Sequence, residues 1–558
     1  FGGASVAENA YFINGLNVTD FRNGLGGSTI PFEFYKEFQV KTGGYSAEFG
    51  RSTGGVINAV TKSGTNEWEF AANVYYTPES MGEQSSNILK RDGSLNNFNA
   101  ADSFNKMDAN ISVGGPIIED TLFFYVLYNP REITQEWASS GGSTFNENVT
   151  DDAFWGGKVD WHITDDHLLE LTTFSDKRTT NTARWDYNHL TGTKTGKTNG
   201  TSARGGENIS VKYTGYITDD FVISALWGKN EADLTDKSAF DANPVVYDNR
   251  EGNWTPLGNW ANFNVTTAND SREALRIDGE YTLDDHVIRF GWDSETNSSF
   301  DETNLSGGVY WALFSYDAGD KIGSIGHTFA EDAKVARKRT YSTGGEFETL
   351  STAFYIEDTW TITDDITATI GLRNESFNNK NAQGESFVKI TNQLAPRLGI
   401  SWDVNGDGDS KIFANYGRYH LPVAANTNIR MAGAETYIHD YYIFDGTLGE
   451  NDVPGTGELL GTQVNGDGTV PDVSEVLDTT IKPMFQDEFI LGYQTMLNDE
   501  WSAGIKYTMR DLGSVIDDIT IDKGIRAAGW ADPGHNVYVL TNPATDVITY
   551  FDTDGDGT

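Results

Sequence analysis

The sequence predicts an all-β fold, a transmembrane antiparallel β-barrel that is incomplete, with about fifteen strands present. Three observations carry that prediction. Apolar and polar residues alternate with period two over most of the chain, and helical periodicity is hard to find. A short acidic turn keeps returning, and the segments between successive hairpins are long and polar. No run of about 18 apolar residues exists, which excludes a transmembrane helix but not a barrel whose strands alternate over about ten residues each.

Residues 1–64 stand apart from the rest of the chain. "AYFINGLNVTD" (10–20) precedes "IPFEFYKEFQVKTGGYSAEFGRSTGGVINAVTKSGTNEWEF" (30–70), in which a short apolar run sits among glycines and then passes through "TKSGTNE" (61–67) into the alternating pattern. The first stretch holds Ile13, Asn14 and Gly15, and the second Glu37, Phe38, Gln39, Val40 and Lys41. Phe49 and Gly50 are followed by Gly54, Gly55, Val56, Ile57, Asn58, Ala59, Val60, Thr61 and Lys62. In order and spacing this resembles the end of the plug domain of TonB-dependent outer-membrane receptors. The resemblance marks Gly50, Arg51, Gly54, Gly55, Val56, Ile57, Asn58, Thr61 and Lys62 as the plug motif. Thr42, Gly43 and Gly44 stand where that family usually has Arg-Gly-Pro, and the stretch looks most like the Oar-like branch, as does the hairpin at 395–420. The division implied is 1–64 for the C-terminal part of the plug and 65–558 for a partial outer-membrane barrel with long extracellular loops. Glycines suit a strand that must approach other backbone closely. Arg51 and Lys62 either pair with carboxylates of the barrel lumen or stay solvated.

From Trp68 onward the strands can be taken in turn. In "WEFAANVYY" Trp68, Phe70, Ala72, Val74 and Tyr76 share one face. In "ALRIDGEYTL" Arg276, Asp278, Glu280 and Thr282 share the polar one. "ITATIGLR", "LAPRLGISWD" and "WSAGIKYTMR" repeat the scheme. The turn reads "WHITDDHLLELTTF" at 161–174, "YITDDFVISALW" at 216–227, "YTLDDHVIRFGW" at 281–292, "WTITDDITATIGLR" at 360–373 and "MLNDEWSAGIKY" at 496–507, with looser versions at 115–128 and 402–419. Asp and Asn suit such turns because their side chains bond the local backbone. Between hairpins lie polar segments such as 232–270, 298–345 and 421–484. Short turns at one end and long connections at the other are what an outer-membrane barrel shows. Trp161, Trp360, Trp402 and Trp501 lie beside the short turns, where an interfacial girdle belongs. A soluble sheet would need a second sheet over its apolar face. A barrel in lipid needs none.

Charge and chemistry narrow the function. With 40 Lys plus Arg against 82 Asp plus Glu, the net charge of −42 argues against nucleic acid, which needs a positive face. The absence of cysteine removes disulfides, thiolate metal sites and cysteine nucleophiles. No catalytic constellation appears, so the chain reads as no enzyme, without catalytic residues, metal site or cofactor. "GTKTGKT" (192–198) falls one residue short of a phosphate loop and lacks strand-helix context. Asp403, Asn405 and Asp407 begin a calcium-like loop, but Ala414 stands where its closing glutamate belongs, and 403–410 reads as a hairpin turn. Asp552, Asp554 and Asp556 begin a second such loop, a candidate calcium-stiffened outer loop. Both chain ends look cut.

The family resemblance implies energy-coupled import of a scarce extracellular ligand across the outer membrane of a Gram-negative bacterium. The implied partners are outer-membrane lipid, an unknown ligand, and the TonB energy-coupling complex, whose contact segment is missing from this chain. Ligand-binding residues are not assigned. The Oar-like likeness keeps a second expectation open, a surface protein with an adhesion or secretion-linked role.

Overall fold

The computed structural model describes residues 3–529, 537–543 and 545–549; the calcium-like stretch 552–558 lies outside them. The wall begins with Glu69–Thr77 and continues through seven antiparallel hairpins. These are Ser103–Ile118 with Leu122–Asn129, Phe154–Thr164 with His167–Ser175, Glu207–Thr218 with Phe221–Ser238, and Asn264–Leu283 with His286–Tyr316. Ala333–Thr363 with Ile366–Lys380, Ser386–Asp403 with Ser410–His420, and Phe485–Asn498 with Trp501–Ser514 complete them. Each hairpin pairs with the next, giving a meander of the size expected. No paired register joins Glu69–Thr77 to Trp501–Ser514, so the barrel is not closed along that seam, and both strands are exposed on nearly every residue.

Every hairpin turns at an acidic pair or a short loop at one end of the wall. Asp165 and Asp166, Asp219 and Asp220, Asp284 and Asp285, and Asp364 and Asp365 occupy four of these turns. At 404–409 the Asp403 carboxylate accepts from the backbone N–H of Gly406 (3.2 Å) and Gly408 (2.7 Å), which makes this stretch a hairpin turn. Trp161, Trp360, Trp402 and Trp501 are exposed on the outside, within a few residues of such turns. Higher on the wall the alternation is plain. Asp270, Arg272 and Ala274 are buried, and Glu273, Leu275 and Ile277 between and beyond them are exposed. The outward Leu, Ile and Phe have nothing behind them but lipid, and transfer to hydrocarbon favours them there.

At the other end the strands run on well past the height of a membrane. His286–Tyr316 and Ala333–Thr363 span 31 residues each. The strand Arg131–Ala138 resumes after Pro130, which has no N–H to give a ladder, and pairs with 103–108. Thr144–Thr150, Arg178–Asn188 and Thr193–Gly205 extend the same tier. Ala434–Leu448 and Pro454–Asp467 extend it beside 335–344. Much of 232–270, 298–345 and 421–484, expected as polar connection, is therefore strand. Beyond the lipid neither face has to be apolar, so the Asn, Ser, Thr and Gly of these ribbons hide the strand signal while the ladders still satisfy the backbone.

The N-terminal residues form a separate four-stranded sheet of β1 (Ala10–Ile13), β2 (Leu16–Asn17), β3 (Tyr35–Lys41) and β4 (Val56–Thr61), in the order β2-β1-β4-β3. β4 is parallel to β1 and antiparallel to β3. The sheet lies inside the wall. Ile13, Leu16, Val18, Phe34 and Ala59 form one apolar cluster with the wall residues Tyr125, Leu127, Phe154, Phe174, Leu226 and Ala274.

Candidate functional site

The enclosed sheet meets the wall in two different ways. Toward strands 122–174 the contact is that apolar cluster. Toward strands 270–301 and 373 it is ionic, and the residues that make it sit in the turns between the enclosed strands.

Arg22, in the loop after β2, is almost wholly buried. It grips Asp270 through Nε (2.9 Å) and Nη2 (2.7 Å), reaches Asp301 at 2.7 Å, and donates to the Phe300 carbonyl at 3.0 Å. A planar guanidinium supplies that forked geometry, which lysine could not. Arg51 precedes β4 in a left-handed conformation (φ 56°) and aims its guanidinium at Asp293 and, at 3.1 Å, Glu295. Asp293 is shared, since it also accepts from Arg373 of the wall at 2.8 Å, and Arg373 in turn holds Glu375 at 2.6 Å. Arg373 is 1% exposed and donates to the carbonyls of Ala47 and Glu48 at 3.3 Å. The result is a chain of alternating charge, Arg51, Asp293, Arg373, Glu375, that crosses from the enclosed sheet into the wall. Glu48 extends it on the other side by pairing with Arg276 at 3.1 Å, and Arg276 also holds Asp278 at 2.6 Å.

The motif glycines make this closeness possible. A β-carbon at Gly50 would collide with the Glu375 carboxylate and the Arg373 guanidinium. One at Gly54 would come within 2.6 Å of the Asn9 amide oxygen, which bonds the neighbouring N–H of Gly55. Val56 and Thr61 are buried in the middle strand, and Ile57 and Asn58 are half-buried. Asn14 ties Thr61 (2.8 Å) to the wall at Thr172 (2.9 Å). Of the two alternatives left open for Lys62, pairing is not the one seen. No carboxylate lies within ion-pair distance of it among the described residues; its ammonium stands 6.0 Å from the Tyr125 ring centroid, and the acids nearby, Asp160 and Glu170, are held by Lys158. Lys158 of the wall bonds Ser63, and Asn66 bonds Asp120 at the short-turn end, where the chain passes into the wall.

At the long-loop end a cavity of about 260 Å³ separates the loop around Asp20 from the connection that follows His420. Its floor carries Arg51, Arg272, Glu295 and Asn297, and its roof Leu421, Pro422 and Val423. The short helix Ala425–Met431 presses on the enclosed segment beside it. The N–H groups of Ala425 and Asn426 donate to the carbonyls of Phe21 (3.3 Å) and Arg22 (2.9 Å). Arg22 and its acidic partners escape a reading of the sequence. The only signal for them is the charged inward parity of strands such as Asp270, Arg272, Arg276, Asp278.

Residues 144–458 match the family described as TonB dependent receptor-like, beta-barrel. The TonB-dependent transporter Oar of Myxococcus xanthus is 25% identical over 99% of this chain and 60% of its own length. The outer membrane transporter YddB of Escherichia coli superposes with a TM-score of 0.64 at 15% identity, covering 97% of this chain and 65% of that one. The ferric enterobactin receptor PfeA of Pseudomonas aeruginosa gives 0.53 at 14% identity, covering 97% and 69%. The chain thus spans about three-fifths of the curated relative it matches and 65% of the E. coli structure.

Proposed function

The chain belongs to the TonB-dependent receptor-like β-barrel family, and from that membership we propose that it serves as an outer-membrane receptor that imports a scarce ligand with energy drawn through TonB. It is a protein of the Gram-negative outer membrane. In this reading residues 1–64 are the end of a plug, the long-loop tier faces outward, and ligand enters the cavity above Arg51 and Arg272. The observation that carries the reading is the enclosed sheet itself, which occupies the lumen and is tied to one side of it by Arg22, Arg51 and Glu48.

The chemistry of that tie suits a plug that must move. Ion pairs and hydrogen bonds lose little when water replaces each partner, whereas an apolar interface of equal area would be costly to open. Directional bonds also seat the sheet in one position. A ligand in the cavity would touch Arg51 and Glu295 directly and so alter the pairing of Asp293.

The test is growth and uptake by a strain lacking the complete gene, across candidate nutrients, with and without functional TonB. Import of some nutrient that needs both is the expected result. If no nutrient depends on the receptor while surface attachment or protein export fails, import is the wrong function.

A further inference from the structure

The long-loop tier carries a cluster that neither the wall nor the enclosed sheet uses. Arg337 and Arg339 lie on one face of the strand Ala333–Thr363, with the same parity as the lumen-facing Ser351, Ala353, Tyr355 and Glu357. Across the ladders, Arg339 stands opposite Tyr310 on one side and His439 on the other, and Arg337 stands opposite Ala312 and Tyr441. Both guanidinium groups lie over rings. Arg337 is 5.7 Å from the Tyr310 centroid and 5.0 Å from Phe314, and Arg339 is 5.1 Å from both Tyr310 and Tyr437.

What the cluster lacks is a counter-ion. The chain has 82 carboxylates and a net charge of −42, yet none lies within ion-pair distance of either arginine among the described residues. Four arginines deeper in the barrel, Arg22, Arg51, Arg276 and Arg373, each hold two acids, and Arg397, which holds none, stands alone over Tyr45 and Tyr419 without a second guanidinium two residues away. The Nε of Arg337 is buried with no hydrogen-bond partner. Arg339 Nε donates to His439 Nε2 at 2.9 Å, so the imidazole accepts and is neutral. Burial, then the two guanidiniums, hold His439 down to about 4. Two like charges two residues apart on one face repel, and ring faces offset that only in part, by about 0.5–2 kcal/mol each. A partly dehydrated cation pair on an aromatic bed is a seat for an anion, and a bound oxyanion would relieve the repulsion as well as gain forked hydrogen bonds.

We propose that the face formed by Tyr310, Arg337, Arg339, Tyr437, His439 and Tyr441 binds an oxyanion, a carboxylate or phosphate group carried by the ligand on its way to the lumen. The two arginines supply the charge and the planar donors, and the tyrosine rings hold them flat and exclude water. His439 fixes the plane of Arg339 by accepting from Nε, which leaves that guanidinium's terminal nitrogens free to turn toward the anion. The biological meaning rests on the receptor reading, but the binding event does not.

The complete protein in detergent micelles is titrated calorimetrically with citrate, with pyrophosphate, and with trimethyl citrate as the uncharged form of the same skeleton. At least one of the two anions binds and trimethyl citrate does not; which one binds separates carboxylate from phosphate. Arg337→Gln and Arg339→Gln each weaken binding by about tenfold or more, with barrel folding checked by heat-modifiable gel mobility. Should a glutamine variant not fold, Arg337→Lys and Arg339→Lys decide, because lysine keeps the charge but loses the planar fork; about three- to tenfold weakening is expected. Failure of both anions to bind the unaltered protein, or unchanged affinity in the folded variants, overturns the proposal. Intact binding in a protein that imports nothing would sink the receptor reading and leave this site standing.

Discussion

The shared carboxylate of Asp293 makes an unequal prediction. It accepts from Arg51 of the enclosed segment and from Arg373 of the wall, and side-chain exposure is 15% or less for all three. Replacing Arg51 with Gln removes one partner, but Asp293 still holds Arg373; the loss in seating is that of a charge-assisted hydrogen bond, about 2 kcal/mol. Replacing Asp293 with Asn leaves two buried guanidiniums facing each other, and removing one partner of a buried pair costs about 3–5 kcal/mol. The chain has no cysteine, so Ser52→Cys, at a position with 0% exposure beside Arg51, gives a single thiol reporter for unseating. When opening is fast relative to labelling, the rate follows the open population. At 1.36 kcal/mol per tenfold, R51Q then labels about 30-fold faster than the reporter alone and D293N about 1000-fold faster. The double variant falls well short of the product, because R51Q removes one of the two guanidiniums that D293N leaves facing each other. Labelling unchanged in both, or R51Q faster than D293N, would refute the shared-charge account.

Other outcomes follow from the same geometry. Gly50→Ala drives a methyl into Glu375 and Arg373 and should raise labelling of the Ser52→Cys reporter by the cost of overpacking, about 1–3 kcal/mol, while Gly323→Ala, with open space around it, leaves seating unchanged. Ala425→Pro sits at the first helical position, where proline is favoured, after Ala424 in an extended conformation; it removes only the N–H that reaches Phe21, and labelling should rise about fivefold, near 1 kcal/mol. His439 faces Arg337, Arg339, Tyr437, Tyr441 and Gln463. Its folded pKa of about 4 lies below the unfolded 6.5, so its contribution to stability is full above about 6.5 and is lost as pH falls through 4. Urea unfolding of the tier at pH 7 and pH 5 should show the loss, and His439→Gln should remove it.

The wall was legible because its chemistry is periodic and local. Asp165 and Asp166 or Asp364 and Asp365 announce a turn from two adjacent residues, and Leu275 and Ile277 announce an outward face from positions two apart. The apolar run of β4 was legible for the same reason. The ionic tie was not. Arg22 meets Asp270 across 248 residues and Arg51 meets Asp293 across 242, and period two tells which face a residue occupies but not at what height another segment will meet it. Lys62 shows the limit from the other direction: its sequence position resembles that of Arg51, yet it stands near Tyr125, and the acids close by, Asp160 and Glu170, are held by Lys158 of the wall. The tier was hidden by composition: in "VARKRTYST" (335–343) the run Arg337 to Thr340 is polar on both faces and shows no alternation.

The two sides of the lumen divide the work of holding the enclosed sheet. On the side of strands 122–174, Phe34 packs with Tyr125, Phe154 and Phe174, and this contact adjoins the handover at Ser63 and Asn66, where the chain is covalently continuous with the wall. On the far side the ties run from Arg22 at the long-loop end to Glu48 with Arg276 and are polar except where Tyr45, Phe49 and Val56 pack on Tyr419. Water can take over polar ties one at a time, but an aromatic cluster opens only as a unit. A reporter thiol placed at Ser52 should therefore label before one placed at Ala59, which packs within the aromatic cluster, and added salt should speed the first more than the second. Equal rates and equal salt response at both positions would mean that the sheet leaves as one rigid body. The unequal result would make the aromatic side the pivot and the arginine side the face that opens.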